Sequence, residues 1–188
     1  FDLSILTFAN PSDVCIDNGL VGLSATPSGG TFSGTGVTGS DFDPVIAGIG
    51  IHTLTYEYTD GNGCTNTATQ DIEVFGLPIL TFANPSDVCI DNGLVVLSAT
   101  PAGGTFSGTG ITGTDFDPTA AGVGIHTLTY EYTDGNGCTN TTTQDIEVFD
   151  LSILTFANPS DVCIDNGLVS LSATPAGGTF SGTGITGT

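Results

Sequence analysis

Apolar and polar positions alternate most cleanly over residues 51–59, where His52, Leu54, Tyr56 and Tyr58 share one parity and Thr53, Thr55, Glu57 and Thr59 the other. A period of two assigns each set to its own face, which predicts a half-buried β-strand. Asp60-Gly61-Asn62-Gly63 follows with residues that tolerate positive φ, and residues 64–74 then run back with Ile72 and Val74 continuing the apolar face. The pattern predicts a long hairpin over residues 50–74, and the same hairpin returns at residues 124–148. The remaining segments are expected to pack against it.

Ahead of the hairpin the pattern breaks into short pieces. Residues 3–8 predict a first strand closed by Asn10-Pro11-Ser12, residues 13–19 a short extended piece and turn, and residues 20–25 another strand. Gly22, Val96 and Ser170 differ at one equivalent position, which marks it as solvent-facing. Residues 26–30 predict a turn, residues 31–33 a short strand and residues 34–39 a glycine-rich bend. Phe42, within Asp41-Phe42-Asp43-Pro44, is expected to plug the core before a corner at residues 47–50. Short strands with turn signals every 8–12 residues or so, and no helical periodicity, predict an all-β fold of immunoglobulin-like β-sandwiches.

Repetition sets the domain organisation. Leu6-Thr7-Phe8-Ala9-Asn10-Pro11 recurs at residues 80–85 and 154–159, an offset of 74 each time. Residues 1–74 and 75–148 match at 64 of 74 positions, so the chain divides into repeats at 1–74 and 75–148 and the N-terminal part of a third at 149–188. Tandem copying this close is common in rods, spacers and adhesive arrays and rare in catalytic domains. The junctions Val74-Phe75-Gly76-Leu77-Pro78 and Val148-Phe149-Asp150-Leu151-Ser152 leave almost no linker. Neighbouring repeats are therefore expected to hold a fixed angle, giving a stiff rod.

Charge removes several function classes. Lys and Arg are absent against 20 Asp and Glu, a formal net charge of −20, so the chain repels nucleic acid and anionic membrane surfaces. With 11% charged and 38% hydrophobic residues, this acidity sits on a folded protein rather than a disordered one. The missing lysines also exclude Lys–Asn isopeptide cross-links and leave trypsin nothing to cut. No apolar run approaches the roughly 20 residues of a membrane helix, so no direct membrane insertion is expected. Without an initiator Met or signal peptide, the chain reads as an internal window of a longer secreted polypeptide.

The cysteines supply a staple that a small β-domain needs. Cys15, Cys64, Cys89, Cys138 and Cys163 fall two per repeat, 49 apart within a repeat and 25 across a boundary. Pairing Cys15–Cys64 and Cys89–Cys138 leaves Cys163 with a partner outside the chain, whereas pairing Cys64–Cys89 and Cys138–Cys163 leaves Cys15 so. The first is favoured because each repeat then survives alone, its closed loop worth about 3–4.5 kcal/mol. Either pairing places the protein in an oxidising, extracellular setting. A zinc site is disfavoured by the absence of CxxC spacing.

An intradomain disulfide would gather Asp13 and Asp17, which flank Cys15, with Asp60 and Asn62, which precede Cys64. Asp87, Asp91, Asp134 and Asn136 are their equivalents in the second repeat. Oxygen ligands without competing cations suit Ca²⁺, and ordinary turn chemistry explains the same residues. Thr53, Thr55, Thr65, Thr67 and Thr69 form an outward threonine array, a common surface for an exposed strand. His52 and His126 have no nucleophile motif beside them and read as packing or surface residues.

The run from Gly29 to Val37, Phe42-Asp43-Pro44, Ala47-Gly48, His52-Thr53-Leu54-Thr55-Tyr56 and Asp60-Gly61-Asn62-Gly63-Cys64 together resemble tandem repeats in very large surface proteins of Bacteroidota exported by the type IX secretion system. The resemblance implies an immunoglobulin-like or PKD-like fold and a cell-surface adhesive or structural role. It brings no catalytic or ligand-binding residue. Two readings remain: a stalk segment of a long adhesin or filament that associates with copies of itself, or a calcium-dependent binder of glycans or surfaces acting through multivalency.

Overall fold

The computed structural model describes residues 5–186; Leu3 and Ser4, expected in the first strand, lie outside the described residues. The first repeat contains β1 (Thr7–Phe8), β2 (Val14–Cys15), β3 (Val21–Gly22), β4 (Ala25–Thr26), β5 (Thr31–Ser33), β6 (Val37–Thr38), β7 (Asp41–Phe42), α1 (Pro44–Ala47), β8 (Gly50–Thr59) and β9 (Thr65–Phe75). The second repeats this series as β10 (Thr81–Phe82), β11 (Val88–Cys89), β12 (Val95–Val96), β13 (Ala99–Thr100), β14 (Thr105–Ser107), β15 (Ile111–Thr112), β16 (Asp115–Phe116), α2 (Pro118–Ala121), β17 (Gly124–Thr133) and β18 (Thr139–Phe149). Beyond them lie β19 (Thr155–Phe156) and β20 (Ala173–Thr174).

The long hairpin carries each unit. β8 and β9 pair antiparallel from Gly50 opposite Val74 to Thr59 opposite Thr65. β5 extends this sheet on one side, with Phe32 opposite Tyr56, and β2 on the other, giving the order β2-β9-β8-β5. Against it stand a three-stranded sheet, β3-β7-β6, and the pair β1-β4. The chain is thus an almost all-β tandem of two immunoglobulin-like sandwiches.

Alternation along the hairpin becomes burial. Leu54 and Ile72 are fully buried, Tyr56 and Val74 nearly so, and Phe42 fills the space between the sheets as expected. The second repeat buries Phe116, Leu128, Tyr130, Ile146 and Val148 in the same way. Residues 149–188 supply a comparison, because no hairpin stands against them. Phe156 is 58% exposed there, whereas its equivalents Phe8 and Phe82 are 4% exposed. The hairpin therefore provides the wall on which the shorter strands become a core.

One local element departs from the sequence expectation. The corner before the hairpin begins with a single helical turn, α1, because Asp43 accepts the backbone N–H groups of Val45 (2.9 Å) and Ile46 (3.3 Å) while Pro44 occupies the first turn. An Asp-Pro cap stabilises a turn too short for apolar periodicity to reveal.

The parallel pairing of β2 with β9 fixes where the cysteines lie. Val14 stands opposite Val74 and Cys15 opposite Phe75, at the C-terminal end of β9. Cys64 sits at the other end, just after the hairpin turn. Eleven residues of strand separate the two ends, about 36 Å at 3.3 Å per residue. A disulfide requires Cα atoms within about 7 Å. The expected Cys15–Cys64 and Cys89–Cys138 pairs are therefore excluded by topology. So is Cys64–Cys89, which would span from the near end of one repeat to the far end of the next.

Candidate functional site

The structure forms a disulfide between Cys15 and Cys138, across the boundary between the repeats, with Cα atoms 5.6 Å apart and 123 positions between them in sequence. Cys15 leaves the first repeat at the end of β2, and Cys138 enters the second at the tip of its hairpin, immediately before β18. The link thus joins the far end of one sandwich to the near end of the next. Beside it, Ile16 donates its N–H to the Phe75 carbonyl at 2.8 Å, which extends the parallel pairing up to the joint. Asn140, the second residue of β18 and two past Cys138, donates through Nδ2 to the Pro78 carbonyl at 2.9 Å, tying the connecting segment to the same tip.

Burial distinguishes this joint from the equivalent surfaces that lack a complete neighbour. Cys138 is fully buried, while its equivalent Cys64 is half-buried and unpaired. Val14 is buried and Phe75 half-buried, whereas Val88 is half-buried and Phe149 is 45% exposed. Apolar ends of the two sandwiches therefore cover each other around the disulfide. Covalent closure and hydrophobic contact act at the same place.

The candidate calcium ligands do not converge within a repeat. Asp13 accepts the backbone N–H of Glu73 at 2.9 Å, and Asp87 that of Glu147 at 2.9 Å, so each fastens β2 or β11 to the far end of the hairpin. Asp60 and Asp134 lie at the hairpin tips, where each accepts two backbone N–H groups at 2.9 Å: Asn62 and Cys64 in the first repeat, Asn136 and Cys138 in the second. Asp17 and Asp91 are exposed on the turns after β2 and β11. The gathering of Asp13 and Asp17 with Asp60 and Asn62 rested on an intradomain disulfide, and it falls with that pairing. Among the described residues no group of three or more His, Cys, Asp or Glu side chains is placed to hold a metal ion.

Asp60 shapes the cysteine-bearing tip instead. The N–H of Cys64, then that of Asn62, holds its carboxylate below the ordinary value of 3.8. A depressed folded-state pKa gives stability that is present above the unfolded value and lost as pH falls through the folded one. Asp60→Asn is therefore expected to lower the melting temperature at neutral pH. The gap from the parent chain should close as pH falls below 3.8 and the parent carboxyl is protonated, which thermal melts across pH 2–7 on the order of one unit apart would follow.

The histidines serve packing. His52 reaches the Gly48 carbonyl through Nε2 at 2.8 Å and lies 6.0 Å from the Phe42 ring, and His126 repeats this against Gly122 and Phe116. On the outer hairpin face the Thr53 hydroxyl donates to Asp71 at 2.7 Å, and the Thr59 and Thr65 hydroxyls bond each other at 2.8 Å. Sequence reasoning missed the partner of Cys15. The available signal was the spacing itself, since 123 is the within-repeat spacing of 49 plus one period of 74.

No protein-family model matches the chain, and no curated protein matches it. Among solved structures it is similar to a Ca²⁺-stabilized adhesin that helps an Antarctic bacterium reach out and bind ice, at 16% identity and a TM-score of 0.43 over 83% of this chain and 52% of that one. It is also similar to Drosophila N-cadherin EC1-4, at 10% identity and a TM-score of 0.30 over 78% of this chain and 50% of that one. Tandem Ig repeats of Dlar match at 12% identity and a TM-score of 0.30, over 78% of this chain and 98% of that one. The chain spans about half the length of the first two. By its own sheet order and joint, it is a disulfide-linked tandem of immunoglobulin-like β-sandwich repeats.

Proposed function

We propose that this chain is a stalk segment of a long extracellular adhesin or surface filament, in which repeats 1–74, 75–148 and the unit beginning at 149 are successive folding units of one rod. The observation that carries the reading is the Cys15–Cys138 link, which places a disulfide, fully buried at Cys138, on the boundary rather than in either sandwich. A binding module needs only its own fold; a stalk needs the relation between folds. Burial of Val14 and Cys138 at the boundary supports a fixed angle between repeats, and the absence of Lys and Arg supports persistence among trypsin-like proteases. The disulfide fits an oxidising, cell-surface location. The resemblance to Bacteroidota surface repeats adds type IX export to the proposal. No helix among the described residues is long and apolar enough to cross a membrane.

Near-identical repeats also favour association with copies of the same chain, because one contact recurs at each period. Electron microscopy of native material with image averaging tests the proposal. Straight strings or multi-chain filaments with a regular one-repeat spacing are expected. Flexible beads with random angles between repeats would contradict it.

A further inference from the structure

We infer that the Cys15–Cys138 joint recurs at every repeat boundary, so that the array is crossed by a covalent path too short to let its repeats unfold under tension. Cys89 is the equivalent of Cys15, and Cys64 the equivalent of Cys138. Both are free in this chain. Each is one half of the same joint: Cys89 awaits the hairpin-tip cysteine of a complete following repeat, 123 positions further on, and Cys64 awaits the β2-type cysteine of a preceding one.

Two observations besides the thiols carry this. The surfaces around Cys89, at Val88 and Phe149, are the apolar ends that the first joint covers at Val14 and Phe75. The hairpin tip that bears Cys64 is braced through Asp60 as the paired tip is through Asp134. Closing the joint oxidises two thiols to one disulfide. The two protons and two electrons pass, through a mixed disulfide, to the disulfide of a small-molecule or protein oxidant, which becomes two thiols.

The mechanical consequence follows from counting. Each link spans 123 positions while the repeat is 74, so successive loops overlap and every interior peptide bond lies inside at least one. A single backbone cut leaves such an array covalently whole. The shortest path through it runs from one link into Cys138, along β18 to Cys163, and out through the next link, 25 residues for two repeats. Fully extended, 25 residues reach about 85–90 Å. Two sandwiches, each about 36 Å along its hairpin, with their junctions already occupy roughly 75–80 Å. The path is close to taut in the folded state, so pulling yields little slack.

This rests on the reading of the chain as a rod, and it can fail while that reading stands. The test is single-molecule pulling of four complete repeats in tandem, oxidised and then treated with a phosphine reductant, beside microscopy of the same sample. The oxidised array is expected to stretch without unfolding steps, and the reduced array to release steps of roughly 20–25 nm, one repeat of 74 residues each. Oxidised steps of about 5 nm would signify loops closed within each repeat, and full-length steps before reduction would signify no links. Either overturns the inference, and straight rods in the micrographs would leave the stalk reading intact.

Discussion

Replacing Cys138 with serine is expected to destabilise the two-repeat chain by about 5 kcal/mol, the loop-closure entropy of a link spanning 123 positions. The serine hydroxyl would add to this, since the Cys138 site is fully buried in an apolar joint and an unpaired buried hydroxyl costs about 1–3 kcal/mol. Cys15→Ser should cost a similar amount. The double variant should lose little more than either single one, because both remove one shared bond. Cys64→Ser and Cys89→Ser remove no link and should leave stability near the parent value. Urea unfolding of the five variants and the parent under non-reducing conditions reads all of this. Equal midpoints for Cys138→Ser and Cys64→Ser would show that the boundary is not closed by this pair.

Gly30→Ala is the second large effect. A Cβ at this position would lie 2.2 Å from the Glu57 carbonyl oxygen and 2.5 Å from Cζ of Tyr56. Backbone on the central strand cannot yield, so the turn must move away from β8. Tyr56 would then lose both of its bonds, the N–H it accepts from Gly30 at 2.7 Å and the donation to the Pro27 carbonyl at 2.6 Å. The Phe8, Phe32 and Tyr56 cluster, with ring centroids 4.7 to 6.5 Å apart, would open with it. Losing two partly buried hydrogen bonds and core packing amounts to about 3–5 kcal/mol, a large share of the stability of a domain this size. Gly104→Ala should act alike on the second repeat, where the added atom meets Glu131 and Tyr130. Tyrosine fluorescence and near-ultraviolet circular dichroism should show one repeat melting early in each single variant. A change below about 1 kcal/mol would contradict the packing described.

The hairpin was legible because its information is local. Alternation over residues 51–59 and the Asp-Gly-Asn-Gly turn determine strand, face and register together. Phe42 was legible as a core residue for a similar reason, a lone aromatic between turn signals. The joint was not, because it depends on Val14 and Cys15 joining β9 in parallel, a contact over 60 residues of sequence in a strand of two residues. So short a strand carries no periodicity, and nothing local says which end of the hairpin it meets. The expected gathering of Asp13 and Asp17 with Asp60 and Asn62 failed through the same unknown, since it followed from which ends the cysteines bring together. Asp13 and Asp60 proved to be backbone acceptors that fasten β2 and shape the hairpin tip.

Peptide mapping of the oxidised chain tests the joint most directly. A glutamate-specific protease cuts after Glu57, Glu73, Glu131 and Glu147, which places the five cysteines on five different peptides. Peptides 58–73 and 132–147 are nearly the same sequence, but Ala68 in one and Thr142 in the other give them distinct masses. With free thiols alkylated before digestion, peptide 1–57 should be found bound to 132–147, and peptides 58–73, 74–131 and 148–188 should carry the alkyl label. Peptide 1–57 bound to 58–73, or 58–73 bound to 74–131, would contradict the Cys15–Cys138 staple and return the disulfide to one of the pairings that strand topology excludes.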